Sequence, residues 1–353
     1  IHTQKQTVTF DEKDVFEDHE AVLHAIMHTL IEYDLQHIDC VAHHIFHGGS
    51  YTQPMQVTDG LIHTLHDLSP FAPNENPSSI LTIMAAQKTF SKAIQIAVFD
   101  TSFHQTMPQA NSMYAIPKEY RDEGVRKYGF NGITHSCVAK MARKSLLEKD
   151  HERYYANNKI VSCVLDTSVS ICAIEDGKSI NVSQGFSPLT GPMMSTKTGD
   201  IDPAALAYIC RKHKKNIDTV LIQLQKKGGF YSFIQSGDIE EAYKLANEGS
   251  VDAQIAIDKF VNDCTRSIAG AIADLKGVDA VAFCGAYIHA TWLLAKICKK
   301  LECFNISTQP KIPMLTGDML DITGPESAVN VFLFKPKEAI EIAREARKIA
   351  EQK

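Results

Sequence analysis

Apolar residues recur at helical spacing in the first readable segment, 17–34, where Val22, Leu23, Ile26, Met27 and Leu30 share one face and predict a helix with a single buried stripe. His24 and His28 take the opposite, solvent-facing side. An apolar run at 38–42 leads into the turn His47-Gly48-Gly49. A connection carrying Pro70, Pro73 and Pro77 follows, and then a second apolar run, 94–99, that ends at Asp100. From 160 to 182 the pattern is that of consecutive strands, with Asp176-Gly177 as a two-residue hairpin turn. Helices and strands then alternate. Asp202-Pro203 supplies an N-cap and a first-turn proline; 251–273 is helical, 278–284 a buried strand, 291–301 helical, and 329–334 a last strand. The tail 336–352, with Ile340, Ala343, Ala346 and Ile349 on one face, predicts a helix that docks through that face. Alternating elements make the chain α/β, and hairpins leading each half predict two domains.

Composition narrows the picture. With 353 residues, 44% hydrophobic and 22% charged, the chain is large enough for two packed cores, which excludes collagen, coiled coil and disordered tail. The 36 Lys and Arg against 42 Asp and Glu leave a net −6 with no basic stripe, so nucleic acid is not an expected partner. No apolar stretch reaches the roughly 20 residues that span a bilayer, and 1–10 lacks the pattern of a signal peptide. A cytoplasmic protein is the expectation. Nine cysteines, an odd count without paired Cys-x-x-Cys knuckles, predict free thiols in a reducing compartment. The pair His24 and His28 and the cluster His43, His44 and His47 raise metal binding. No carboxylate stands in the general-base position between the helical pair, so surface and loop histidines are the expected outcome.

Candidate chemistry begins with Asp100, because open α/β sheets place their chemistry just past the carboxyl ends of their strands. The sequence around it is distinctive: 99–108 reads Phe-Asp-Thr-Ser-Phe-His-Gln-Thr-Met-Pro. Tyr114-Ala115-Ile116-Pro117, Tyr128-Gly129-Phe130, Gly185-Phe186-Ser187-Pro188-Leu189, Met193-Met194 and Gly199-Asp200-Ile201-Asp202-Pro203 follow in order. Together these closely resemble acetate kinase, over essentially the whole chain. The resemblance implies the two-domain fold of actin, hexokinase and Hsp70 (ribonuclease H-like), with 1–101 and the C-terminal helix 339–353 in one lobe and 102–338 in the other. It implies a homodimer, and phosphoryl transfer between ATP and a small carboxylate with Mg2+.

The same resemblance identifies the site positions and shows them altered. Catalytic positions fall on Asp100, Lys197, Asn131 and His44, of which only Asp100 is kept. His44 and Lys197 stand where the family has arginine, and Asn131 where it has histidine. Lysine keeps the charge but loses the planar fork that grips phosphate, and neutral histidine keeps neither. His135 matches a secondary family histidine, while Glu75 replaces another with a negative group. Substrate-pocket positions fall on Phe46, Phe130 and Pro188; Phe46 is larger than the family's short aliphatic residue and is expected to fill the volume a methyl or ethyl group would use. A backbone shift that keeps a differently shaped pocket is the alternative. Nucleotide positions fall on Asp166, Ser168, Asp238 and Ala286, and a metal position on Glu338. Asp166 and Ser168 replace glycines that cradle phosphate, and the turn at 286–290 is read as glycine-free.

The family's opening strand, phosphate turn and second strand have no counterpart before Ile1. That segment lies outside the numbered sequence, as the absent initiator Met favours, or was lost and covered, or is supplied by a partner. Two readings result. One is a catalytically degraded family member, a pseudoenzyme without cofactor, retained as a structural or regulatory component of a larger assembly, including a cytoskeletal or organellar one. The other is an active acetate or propionate-type kinase using ATP or ADP and Mg2+, with altered substrate or phosphoryl donor.

Overall fold

The computed structural model describes residues 19–34, 37–73 and 75–351. Expectations for 1–18, including the start of the first helix, lie outside the described residues. The chain divides into two compact units, residues 1–100 with 339–353, and residues 101–338.

The first unit is built on a three-stranded sheet of order β1-β3-β2: β1 (Cys40–Ile45), β2 (Met55–Gln56) and β3 (Ile94–Phe99). β1 runs parallel to β3 and β2 antiparallel to it. The parallel pair requires a long crossover, which the helices Asp59–Leu68 and Asn76–Thr89 supply. Ile45, Ala97 and Phe99 pack against Leu61, Leu65, Ile80 and Ile83 of these helices. Thr58 caps the former, accepting the Leu61 N–H at 3.2 Å. The helix His19–Glu32 packs on Asn76–Thr89 and is tied to it by Glu20 and Lys88 at 3.1 Å. His24 and His28 are exposed.

The C-terminal helix Glu338–Ala350 buries Ala346 and part of Ile349 from the expected face, but leaves Ile340 and Ala343 exposed. Ile340 is 47% exposed, whereas Glu341 and Ala346 are buried. Reading every third residue follows a line that drifts around a helix of 3.6 residues per turn. The buried acid carries a cation with it, since Arg344 lies 3.7 Å from Glu341.

The second unit holds a six-stranded sheet of order β6-β5-β4-β7-β9-β8. Its strands are β4 (Lys159–Val164), β5 (Ser170–Glu175), β6 (Lys178–Val182), β7 (Ala280–Cys284), β8 (Met319–Asp321) and β9 (Asn330–Phe334). β4, β7 and β9 are mutually parallel, and the flanking strands antiparallel. Asp176 and Gly177, at φ 49° and 74°, make the expected hairpin turn. The strands read as continuous apolar runs because both faces are covered. Val161, Cys163, Val281, Phe283, Val331 and Leu333 meet the helices Val251–Leu275 and Thr291–Leu301. Ile160, Cys172, Ala282, Cys284, Phe332 and Phe334 meet the helix Gly132–Lys149.

Local signals explain the helix ends. Asp202 caps the helix Pro203–His213 by accepting the Ala204 N–H at 2.6 Å. Ser250 caps the long helix Val251–Leu275, whose far end closes on Lys276 at φ 56°. All nine cysteines are free thiols. Burial pushes those of Cys172 and Cys298 up to about 12, so both are inert at neutral pH. Among the described residues no helix is long and apolar enough to cross a membrane.

The tightest backbone contact in the second unit is at Gly229, which has φ +57° and faces the Met194 carbonyl at a place where a Cβ would lie 1.9 Å from its oxygen. Gly229→Ala therefore combines left-handed strain with a clash against main chain and is expected to cost more than about 2 kcal/mol. A urea midpoint lowered by that amount, with unchanged slope, checks the expectation; a midpoint within error of the wild type refutes it.

Candidate functional site

In the first unit the candidate residues gather at the carboxyl ends of β1 and β3. Asp100 directly follows β3 and is 2% exposed, and His44, the penultimate residue of β1, holds its Nε2 3.7 Å from the Asp100 carboxylate. The parallel register that pairs His44 with Val98 and Ile45 with Phe99 sets this approach. Phe46, the next residue, is half-buried.

The turn beyond is rigid. Asn76, fully buried, accepts the His47 N–H at 3.0 Å and donates to the His47 carbonyl at the same distance. The Gly49 N–H donates to His47 Nδ1 at 3.1 Å. Gly48 has no room for a side chain, since a Cβ would come within 2.6 Å of the Phe99 ring. Asn76 sits in the proline-rich connection and was missed in the sequence; its only signal was an asparagine among turn formers. Glu75, beside it, is half-buried, with one carboxylate oxygen buried and without a hydrogen-bond partner.

In the second unit two groups form. Asn131, at φ 58°, precedes the helix Gly132–Lys149 and donates from Nδ2 to Ser170 Oγ at 2.9 Å. His135, one turn on, bridges Ser170 at 2.7 Å and Ser162 at 2.9 Å. Ser162 and Ser170 face the same helix from β4 and the start of β5, so the polar side chains satisfy one another inside the core. Phe130, fully buried, has its carbonyl 3.0 Å from His104 Nε2. Glu338 accepts from the Thr134 hydroxyl.

The second group lies at the carboxyl ends of β4 and β7. Leu165 donates to the Cys284 carbonyl at 2.8 Å and accepts from the Tyr287 N–H at 2.9 Å. Gly285, at φ +95°, allows this contact, because a Cβ there would lie 2.4 Å from the Leu165 oxygen. The segment 286–290 holds no glycine, as read from the sequence; Gly285, one residue before it, serves main-chain packing. Asp166 then follows Leu165, and its carboxylate accepts the Ala286 N–H at 2.9 Å and the Thr167 N–H at 2.7 Å. Ser168 accepts from Gln184 at 3.2 Å. A cavity of 340 Å³ adjoins, lined by Asp166, Ala286, His289, Leu315, Phe334 and Lys335 among others.

The remaining positions stand elsewhere. Asp238 is the exposed N-cap of the helix Ile239–Asn247, accepting the Glu240 N–H at 2.8 Å, a sufficient structural reason for the residue. Pro188 is buried and Lys197 half-buried in the loops between β6 and the helix Pro203–His213. Among the described residues no group of three or more His, Cys, Asp or Glu side chains is disposed to hold a metal ion, the His43, His44 and His47 cluster included. His43 instead pairs with Gln95 at 2.8 Å.

Triphosphate fits poorly against the Asp166 group, because the amides at 167 and 286 already serve a carboxylate whose charge repels phosphate. The first-unit histidines also respond to pH. Burial pulls the His47 imidazole down to about 4, and burial lowers His43 against the opposing effect of its Gln95 bond. The unfolded chain binds these protons near pH 6.5 and the folded chain only at lower pH, so protons favour unfolding. Stability is expected to be flat above pH 6.5 and to fall as pH drops from 6.5 toward 4, His47 contributing up to about 3 kcal/mol. Urea midpoints measured across pH 7.5 to 4.5 should show this slope, and His47→Asn should flatten it; equal slopes in both proteins would refute the assignment.

Comparison with known proteins identifies the family and the fold. Residues 2–344 match the Acetokinase family. The acetate kinase of Bacillus velezensis is 33% identical over 342 residues, covering 95% of this chain and 85% of that protein. That of Geobacillus sp. is 35% identical over 329 residues, covering 92% and 81%. Among solved structures, a propionate kinase from Francisella tularensis superposes with a TM-score of 0.85 at 28% identity, covering 93% of this chain and 84% of the other. Acetate kinase from Entamoeba histolytica gives 0.83 at 28% identity, covering 94% and 84%. The fold is accordingly the mixed α/β, actin- and hexokinase-like one of these kinases, and the chain belongs to the acetate kinase family.

Proposed function

We propose that this family member has lost triphosphate binding and with it ATP:carboxylate phosphotransfer, and is retained as a structural or regulatory component, a homodimer within a larger assembly. The single observation that carries the loss is the Asp166 carboxylate seated on the Ala286 and Thr167 amides. Phosphoryl transfer asks a protein mainly for positioning and positive charge around the migrating group. At the candidate positions the side chains offer one ammonium, Lys197, the imidazoles His44 and His135, and the carboxylates Asp166, Glu75, Asp100, Asp238 and Glu338. Asn131 is engaged with Ser170.

A working kinase is the second reading, and the comparisons favour it, since the relatives and full-length structural matches bear kinase names and none points to a structural role. Within the chain its support is the His44–Asp100 pair, which becomes a charged pair when the imidazole is protonated. In that reading ATP or ADP and Mg2+ are required, Glu338 contributes to the metal, and Phe46, Phe130 and Pro188 shape a pocket for a small carboxylate.

A hydroxamate assay with ATP, Mg2+ and acetate or propionate separates the two. Turnover far below the 1 to 100 per second typical of kinases is expected, and a rate within that range sinks the proposal. Millimolar Mg-ADP should leave the melting temperature unchanged, because only a ligand that binds the folded state raises it. The combined change Asp166→Gly, Ser168→Gly, His44→Arg and Lys197→Arg should make the melting temperature responsive to Mg-ADP; unresponsiveness in that variant would show that other positions abolished binding.

A further inference from the structure

A second polar cleft lies in the unit 101–338, apart from every residue discussed above as a site position. It encloses about 180 Å³, on the order of six water molecules at their liquid volume. One wall is the stripe Ser267, Gly270, Ala271 and Asp274, spaced three, four and seven along the helix Val251–Leu275. The other is formed by Lys127, Asn181, Ser183 and Asp200. Small residues at 267, 270 and 271 leave the space open, and charged groups of both signs border it.

These groups are held in place. Lys127 Nζ donates to Asn181 Oδ1 at 2.9 Å and to the Val182 carbonyl at 2.8 Å, which uses two of its three N–H bonds. The Lys127 backbone is fixed by a 2.7 Å bond to the Ser112 carbonyl. The Asn181 amide passes the contact on, donating to Asp274 at 2.8 Å. Asp200 is fixed twice over, its carboxylate accepting the Gly191 N–H at 2.8 Å and its own N–H donating to the Gly191 carbonyl at 2.9 Å. Each carboxylate thus keeps lone pairs for a ligand, and Lys127 keeps one proton.

We propose that this cleft binds a small zwitterion, a free α-amino acid such as glycine or alanine, with its carboxylate on Lys127 and its ammonium between Asp200 and Asp274. One ammonium and two carboxylates leave the cleft with net negative charge, so a purely anionic ligand is repelled, while a ligand carrying both charges finds a partner for each. The volume accommodates a small side chain. Burial lowers the Lys127 pKa while Asp274 and Asp200 raise it, and the net is downward, so a carboxylate arriving at its third proton would favour the charged ammonium that burial disfavours. The inference does not depend on whether the nucleotide site works.

Isothermal titration of the intact chain with glycine and with L-alanine tests it, using N-acetylglycine, glycine methyl ester and 1,3-diaminopropane as comparators. Saturable binding of the free amino acids, with every comparator weaker by about tenfold or more, is the expected result, each comparator lacking one of the two charges. Lys127→Gln and Asp274→Asn should each weaken glycine by about tenfold or more. Ser267→Phe, which fills the cleft from its half-buried position on the helix, should abolish binding while the circular dichroism spectrum stays that of the wild type. No heat at 10 mM glycine, a diamine or methyl ester that binds as tightly as glycine, or undiminished binding in Ser267→Phe would each overturn the proposal.

Discussion

The ends of β4 and β7 are pinned together by main chain, and the character of the nucleotide-side group follows from that. Leu165 bonds both Cys284 and Tyr287, and Gly285 is the residue that permits the approach. With the two loops in contact at that point, the side chain of residue 166 stands beside the amide of residue 286. A glycine at 166 would leave that amide to water or a ligand. The aspartate occupies it with a charge of the same sign as phosphate, and an intramolecular acceptor is present at an effective concentration no dissolved ion matches. The Asp166 carboxylate therefore sets the chemistry of the turn, while the Leu165, Cys284 and Tyr287 main chain holds its shape.

The first unit shows the complementary case, in which the acid persists and its partner changes. Asp100 is nearly inaccessible and lies against His44. A guanidinium at that position would carry its charge at every pH the protein meets, whereas an imidazole carries it only when protonated. The turn that follows is as firmly built as any in the molecule, with Asn76 bonded to both main-chain groups of His47 and Gly48 pressed on Phe99. Rigidity of the frame and strength of the charge have come apart.

Much of the fold was legible because the signals were local or periodic. The strand at 94–99, the Asp176-Gly177 turn and the helix cap at Asp202 lie where pattern and turn chemistry put them, and the strand read at 278–284 begins at Ala280. The face of the C-terminal helix was read only in part, since Ala346 is buried as expected, while spacing of three admitted the exposed Ile340 and the structure buries Glu341, a residue no hydrophobic pattern selects. Of the site, Asp100 was visible from its place after a strand. The Asn76 clasp on His47 and the Ser162, Ser170 and His135 network were not, because partners 27 to 35 residues apart meet only once the sheet and its helices are assembled. Nor could sequence show that Asp166 would be used internally: an aspartate in place of glycine states a charge, and only the geometry states what that charge touches.

The polar side chains of the second unit explain how such a fold outlasts changes in its chemistry. Ser162, Ser170, His135 and Asn131 satisfy one another across the helix and sheet, so replacing a reactive imidazole by an amide at 131 leaves no buried donor stranded. Had Asn131 been an apolar residue, Ser170 would have lost a partner at the mouth of the core, at a cost of about 1 to 3 kcal/mol. Asp166 is absorbed in the same manner, its oxygens meeting two amides that would otherwise need water or ligand. The side chains at these two positions are therefore accommodated without a stranded buried polar group. A chain under selection for its surfaces and packing alone can accumulate changes of that kind, whereas it cannot replace Gly48, Gly229 or Gly285 without forcing main chain or a packed ring aside.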